Sequence, residues 1–431
     1  MVGFGVQAEG HETVRAAFAP QGGPLNPLLR RCYSPRPDSR GAKVLLAPPT
    51  GVAMKISVDR ATLLKALAHV QNVVERRNTI PILANVLIRA KDGALTLAAT
   101  DMELSAVERV AAEVRKDGAA TAPAATLYDI VRRLPDGAQV ELDQAGGDAP
   151  LALRCGRFAT SLNVLPVEDF PSLQDGQLPH RFQLKAGTLR ELIDKTKFAI
   201  STEETRYYLN GIYLHTTLSD GVKVLRVVAT DGHRLARVEE PLPEGAEGMP
   251  GVIVPRKTVL ELRKLIEELP AQEGVEISLS ETRVRFAFGT VTLTSKLIDG
   301  TFPDYERVIP RDNDKRLRIG KRDFAEAVDR VAAISSERSR PVKLAIARDG
   351  LILSAASPET GRTEEEIEKD RLEYDAAPIE IGFQARYLRD ITETIGDSGR
   401  VEFAFHDHTA PTVIRAEGDA SALYVLMPMR V

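Results

Sequence analysis

The stretch VVATDGHRLARV, residues 227–238, gathers Asp231, His233 and Arg234 within four positions. Acid, imidazole and guanidinium are the tools of proton transfer and anion binding, and Gly232 lets the chain bend among them. In a hydrolase, His233 would serve as general base with Asp231 orienting it. The surrounding sequence supplies no Ser or Cys nucleophile motif, P-loop or GxGxxG to accompany the pair. His406 and His408, in FHDHTAP, are close in sequence, but a metal needs further ligands that the sequence does not place, so neither metal nor cofactor is expected. Cys32 and Cys155 lie far apart and form no CxxC pair, which fits a reducing cytoplasm.

What the cluster does depends on the elements that hold it, and those elements repeat. DRATLLKALAHVQNVV (59–74), KAGTLRELIDKTKFAI (185–200) and GKRDFAEAVDRVAAIS (320–335) each place apolar residues at helical spacing, as in Leu63, Leu64, Leu67, Val70 and Val74. Alternating, strand-like text follows each one, with the hairpin turns KDG, SDG and RDG at equivalent places. A second helix is predicted in 122–137, 254–270 and 383–399, again followed by strands. DFPSL (169–173) and TFPDY (301–305) close the first two units. The pattern predicts an α+β chain of three repeated domains, 54–176, 182–305 and 316–431, with helices against antiparallel sheets. Such an array leaves strand edges at both ends, and pairing with a second copy would cover them.

The repeat also supplies a control for the cluster. Its counterpart in the first unit, LAATDMELSAVERV (97–110), keeps Thr100 and Asp101 but has Met102 and Glu103 where Gly232 and His233 stand. The third unit reads LSAASPETGRT, without Thr-Asp. Thr-Asp is therefore first of all turn chemistry, short side chains that bond local backbone. A binding role and a catalytic one for the His-Arg addition remain as alternatives.

Composition bounds the rest. The chain has 431 residues, 43% apolar and 27% charged, with a formal net charge of −4. It is no bulk polycation, so any nucleic-acid contact must come from a local basic surface. No apolar run approaches the roughly 20 residues that span a bilayer, and no membrane partner is expected. Residues 1–53 are rich in Pro, Gly and Arg and have no sustained period; they read as a disordered extension, or as a mis-assigned start ahead of Met54.

Several blocks then resemble one family in the right order: RYYLNGI (206–212), VATDGHRLA (228–236), VIVPRK (252–257), TSKLIDGTFPDYERVIP (294–310) and YVLMPMRV (424–431). They are similar to the bacterial β sliding clamps, the DNA polymerase III beta subunit, across essentially all of 54–431. The resemblance implies two chains joined head to tail in a six-domain ring, with helices inside, sheets outside and duplex DNA in the hole. It implies a non-catalytic processivity factor. Its partners would be a second copy, double-stranded DNA of any sequence, the polymerase III alpha subunit, the clamp loader, and other polymerases and repair proteins. These proteins would bind through short motifs of Gln, Leu and Phe.

Carried over by position, the family's peptide cleft comprises Leu209, Thr230, Gly232, His233, Arg234, Leu235, Pro303, Arg307 and Val308 from the second unit and its connector. The third unit adds Gln384, Tyr387, Thr409, Pro411, Val425, Leu426, Met427, Pro428, Met429 and Arg430. Apolar pockets with a few polar fixers suit such motifs, and methionines adapt to many partners. His233 and Arg234 would fix polar ends; Gln384 departs from the family's Asn. For DNA the resemblance selects Arg77, Arg206, Tyr207, Tyr208 and Lys257. Arg132, Arg133, Arg190, Lys195, Lys197, Arg256, Arg263, Lys264, Arg386 and Arg389 also fall in the predicted helical segments. Contacts that let a ring slide should be few and aimed at phosphates. The dimer interface would use Arg157, Phe158 and Ile334, with Glu364 and Glu365 from the acidic run TEEEIEKD. Alternatives are a paralogous clamp conferring antibiotic resistance, a hydrolase built on Asp231 and His233, and a monomeric nucleic-acid-binding module.

Overall fold

The computed structural model describes residues 53–75, 79–171, 176–334, 341–396 and 399–430. The expectations for residues 1–52 and for Arg77 fall outside them. Among the described residues, six α-helices form where the apolar spacing predicts them: α1 (Arg60–Gln71), α2 (Ala124–Arg133), α3 (Ala186–Asp194), α4 (Arg256–Leu265), α5 (Lys321–Ala332) and α6 (Ala385–Thr392). In α1, Asp59 caps the first turn by accepting from the Thr62 amide at 3.0 Å, and Leu63, Ala66, Leu67 and Val70 form the buried stripe. α3 stops at Asp194, short of its predicted end, and a 3-10 turn at Lys197–Ala199 follows.

All strand ladders are antiparallel. In the first unit one sheet runs Glu113–Lys116, Met54–Asp59, Gln139–Gln144, Leu151–Cys155, Phe158–Leu162. Its other sheet runs Gly118–Pro123, Asn85–Lys91, Ala94–Thr100, Leu104–Ala111 and then continues, unbroken, into Val291–Lys296 of the second unit. The same happens at the next boundary. Arg234–Pro241 of the second unit pairs with Ala422–Leu426 of the third, from Arg234 opposite Leu426 to Val238 opposite Ala422. The helices of the first and third units pack against both sheets of their unit, so the main core is continuous from Met54 to Leu426.

Each unit therefore has two seam strands in equivalent positions. One, the last strand of its unit, is Phe158–Leu162, Val291–Lys296 or Ala422–Leu426. The other is Leu104–Ala111, Arg234–Pro241 or Gly361–Glu368. Four of these six pair across the two boundaries inside the chain. Among the described residues the remaining two, Phe158–Leu162 and Gly361–Glu368, are edge strands.

Connectors cover the opposite face of the joined sheets. Phe170 of DFPSL packs with Ile82, Leu87 and Val167 in one small cluster. Phe302 and Tyr305 of TFPDY pack with Leu209, Val228, Leu235, Val413 and Val425 in another. No helix among the described residues is long and apolar enough to cross a membrane.

Candidate protein-binding cleft

The opening cluster is a turn. Thr230 Oγ1 donates to the Arg234 carbonyl at 2.8 Å and accepts from the Gly232 amide at 3.1 Å. Asp231 Oδ1 accepts from the amides of His233 at 2.9 Å and Arg234 at 3.0 Å. Thr100 and Asp101 make the same four bonds to Leu104 O and to the amides of Met102, Glu103 and Leu104. Gly232 has φ +89° and Met102 φ +80°, so both turns need the left-handed region at that position. The Asp231 carboxylate is spent on backbone and on Arg234 Nε at 3.0 Å. The His233 side chain is exposed and lies against the Tyr387 ring, centroids 6.4 Å apart. Among the described residues the pair makes no Asp–His hydrogen bond, so the hydrolase arrangement is not formed.

Arg234 corrects an expectation. Its side chain is 5% exposed, and each nitrogen of its fork is bonded, to Asp231, to Asp390 of α6 at 2.5 Å and to the Phe198 carbonyl. The guanidinium carbon sits 4.3 Å from the Tyr387 ring centroid and 5.1 Å from that of Phe198. It ties the second unit to the third, with each of its three nitrogens already bonded within the chain.

Strand parity sorts the other expected cleft residues. Leu235 and Val425 point into the connector-side cluster with Leu209. Leu426 points the other way, into the main core, at 0% exposure, and cannot line a cleft. Val308, Met427, Pro303, Arg307, Gly232 and His233 are exposed around this floor, while Thr230, Gln384, Tyr387 and Pro411 are half-buried. The tail beyond Leu426 is pinned twice, by Met427 N to His233 O at 2.9 Å and by Met429 N to Gly382 O at 2.8 Å. Beside it a cavity of about 950 Å³ is lined by Thr409, Pro428, Met429 and Arg430 together with Lys315, Lys343 and His406. Phe302, Tyr305 and Val413, which complete the floor, were not singled out from sequence. The signal for them was the aromatic pair inside TFPDY.

The expected DNA contacts divide. Tyr207 is 54% exposed and meets Tyr208 edge to face, centroids 5.8 Å apart. Arg206 pairs with Glu203 and lies over the turn, where a Cβ on Gly232 would come within 2.7 Å of Nη1. Lys257 is not a free phosphate ligand: it reaches from α4 into the first unit and binds Asp101, Glu75 Oε1 at 3.0 Å and the Val73 carbonyl at 3.2 Å. Burial works against its charge, but these carboxylates outweigh that and raise its pKa. Most helix-region cations are likewise held at home. Arg190 caps the carbonyls of Ile266, Glu267 and Leu269; Lys195 binds Glu191 and Asp419; Arg263 binds Asp194. Arg133 and Arg256 are exposed, and their side chains make no hydrogen bond or ion pair among the described residues.

Of the expected interface residues, Phe158 is 44% exposed on its edge strand, and Arg157 is exposed beside it. Glu364 and Glu365 lie on the opposite edge strand. Glu365 is not a free acid, because Arg330 holds it with two bonds of 2.7 and 3.0 Å, which lowers its pKa. Glu364 pairs with Arg362, and Ile334 is half-buried nearby, its carbonyl accepting from Thr360.

Three family models match in succession: the N-terminal domain of the DNA polymerase III beta subunit over residues 54–174, its central domain over 183–304 and its C-terminal domain over 306–430. The chain belongs to this family. The beta sliding clamp of Caulobacter vibrioides is 52% identical over 378 residues, covering 88% of this chain and all of that protein. That of Escherichia coli K12 is 37% identical over 379 residues, with the same coverage. Among solved structures, a Caulobacter crescentus clamp with polyethylene glycol at a site described as its beta-motif tethering region has TM-score 0.85 and 51% identity. A Bartonella birtlesii clamp bound to griselimycin has TM-score 0.84 and 49% identity; each covers 88% of this chain and all of its own.

Proposed function

We infer that this chain is a DNA sliding clamp, the processivity factor of a bacterial replicative polymerase, acting without catalysis in the cytoplasm. The observation that carries the reading is the pair of unpaired seam strands. Inside the chain, a strand equivalent to Phe158–Leu162 has paired twice with a strand equivalent to Gly361–Glu368. Repeating that ladder between copies joins two chains head to tail and closes a ring, leaving no edge at the seam. Phe158 supplies apolar area there and the acidic strand faces Arg157.

A closed ring holds duplex DNA by topology, so few phosphate contacts are needed; Arg133, Arg256 and the Arg206–Tyr208 segment are suited to them. The polymerase alpha subunit, clamp loader and repair polymerases dock short Gln, Leu and Phe motifs on the floor of Leu209, Leu235 and Val425, between Val308 and Met427. Negative-stain electron microscopy with ultracentrifugation tests the ring. Six-lobed particles with a central hole, at twice the chain mass, are expected; compact particles of single-chain mass at micromolar concentration would refute it.

A further inference from the structure

We propose that Arg226, His215 and Tyr305 form a positioning device for the cleft, fixing the short helical turn that presents Arg307 and Val308 to a partner peptide. The inference rests on the cleft reading above. The turn, Tyr305–Val308, is a single 3-10 turn inside a connector and cannot hold itself in place. Its first two residues are tethered to the sheet of the second unit, and its last two are exposed.

The tethering is directional. Arg226 Nη1 can only donate, and it donates to Tyr305 Oη at 2.8 Å. The same hydroxyl meets His215 Nε2 at 2.9 Å, where a neutral imidazole can accept its hydrogen. His215 is kept neutral: burial first, then the Arg226 charge, push its pKa down to about 4, against a smaller opposing effect of the Thr216 backbone. Arg226 also binds Glu306, beside Arg307, and Glu239 at 2.7 Å. Rings extend the hold. Phe302 stacks on Tyr213 at 4.9 Å and Tyr213 on His215 at 4.5 Å, so both aromatic residues of the connector are locked to one face.

A buried charged network of this kind gives little net stability over apolar packing, but it accepts only one geometry. One of its members, Glu239, is on the strand that pairs with the third unit, its amide donating to Ser421 O at 2.8 Å. The network thus fixes the connector lip relative to the opposite wall of the cleft.

The test is fluorescence polarization with a labelled Gln-Leu-Ser-Leu-Phe pentapeptide and the full chain carrying Tyr305→Phe, which removes one oxygen and keeps the ring stack. Affinity is expected to fall about tenfold. Hydrogen exchange should quicken in residues 302–309 and stay unchanged in α1 and α5. If Tyr305→Phe loses its fold, Glu306→Gln, at a partly exposed position, carries the same test with the same expected direction. Unchanged affinity in a folded variant, against an unaltered protein that binds, overturns this inference alone. No binding by the unaltered protein overturns the cleft reading and this inference with it.

Discussion

Replacing Lys257 with Met separates two roles that one lysine on an inner helix could have. The substitution keeps the length and apolar stem of the side chain and removes only the charge. In the structure that charge faces Asp101, whose side chain is 6% exposed, and Glu75, which is more than half exposed. Without it, Asp101 Oδ1 keeps the amides of Glu103 and Leu104, but Oδ2 loses its partner. Breaking a fully buried pair costs about 3–5 kcal/mol. Lys257 itself is 36% exposed, so solvent screening reduces the expected loss to about 2 kcal/mol. That is a fall of roughly 5 °C in the unfolding temperature of a domain pair of this size. Calorimetry reads the stability, and polarization on a short duplex at several salt concentrations reads the DNA contact. Loss of a phosphate ligand would flatten the slope of log affinity against log salt by about 0.9 per chain. Lys257→Met is expected to lower the unfolding temperature and leave the slope alone. Arg256→Ala, whose side chain has no partner among the described residues, should do the reverse. A flattened slope at unchanged stability for Lys257→Met would refute the assignment of this lysine as a tie.

Arg234→Met is expected to weaken pentapeptide binding several-fold in the same polarization assay, although the side chain is buried. It strands Asp390 and the Phe198 carbonyl and frees α6 from the second unit; about 2–4 kcal/mol of stability should go with it, measured by denaturant unfolding. His233→Ala removes an exposed ring and should lower peptide affinity with no change in unfolding temperature. His69 gives a pH dependence. Burial disfavours its charge, but Glu108 at 2.8 Å and Glu268, across the first boundary beside Lys65, outweigh that and raise its pKa above the ordinary 6.5. A raised histidine contributes stability that is complete below 6.5 and lost as pH rises through the folded value. The stability advantage of the native protein over His69→Gln should therefore shrink as pH rises above the ordinary histidine value of 6.5; a gap that stays constant as pH rises would contradict it.

The helices were legible because each carries its own apolar stripe, as Leu63, Leu67 and Val70 do in α1. The repeat was legible because three copies share one spacing. Comparison of the copies also made the Thr-Asp of TDGHR legible as a turn, since Asp101 without a following histidine makes the same bonds as Asp231. Facing was not legible. Val425 and Leu426 are both apolar and adjacent, and only the register of their strand with Arg234–Pro241 sends one to the cleft and the other to the core. Nor was pairing: Lys257 meets Asp101 from 156 positions away, and Arg234 meets Asp390 from the same separation. A lone sequence shows a cation on a helix or strand, not the acid the fold brings to it.

Those two pairings explain why the turn recurs where it does. In each copy, Oδ1 of the aspartate closes the turn and Oδ2 is left to take a cation that bridges to the next unit. Asp101 takes Lys257 of the second unit directly. Asp231 takes Arg234, which reaches on to Asp390 of the third. The turn thus caps the strand at each boundary inside the chain and ties the two units it joins. In the third unit the equivalent strand, Gly361–Glu368, is an edge, and the turn before it reads SPETG. Thr-Asp is kept before the two strands that pair with a neighbouring unit and is absent before the strand that lies at an edge. The residues that first suggested an active site are therefore a boundary marker of the repeat. His233, the member of the cluster that the boundary does not consume, is the side chain left exposed to a partner.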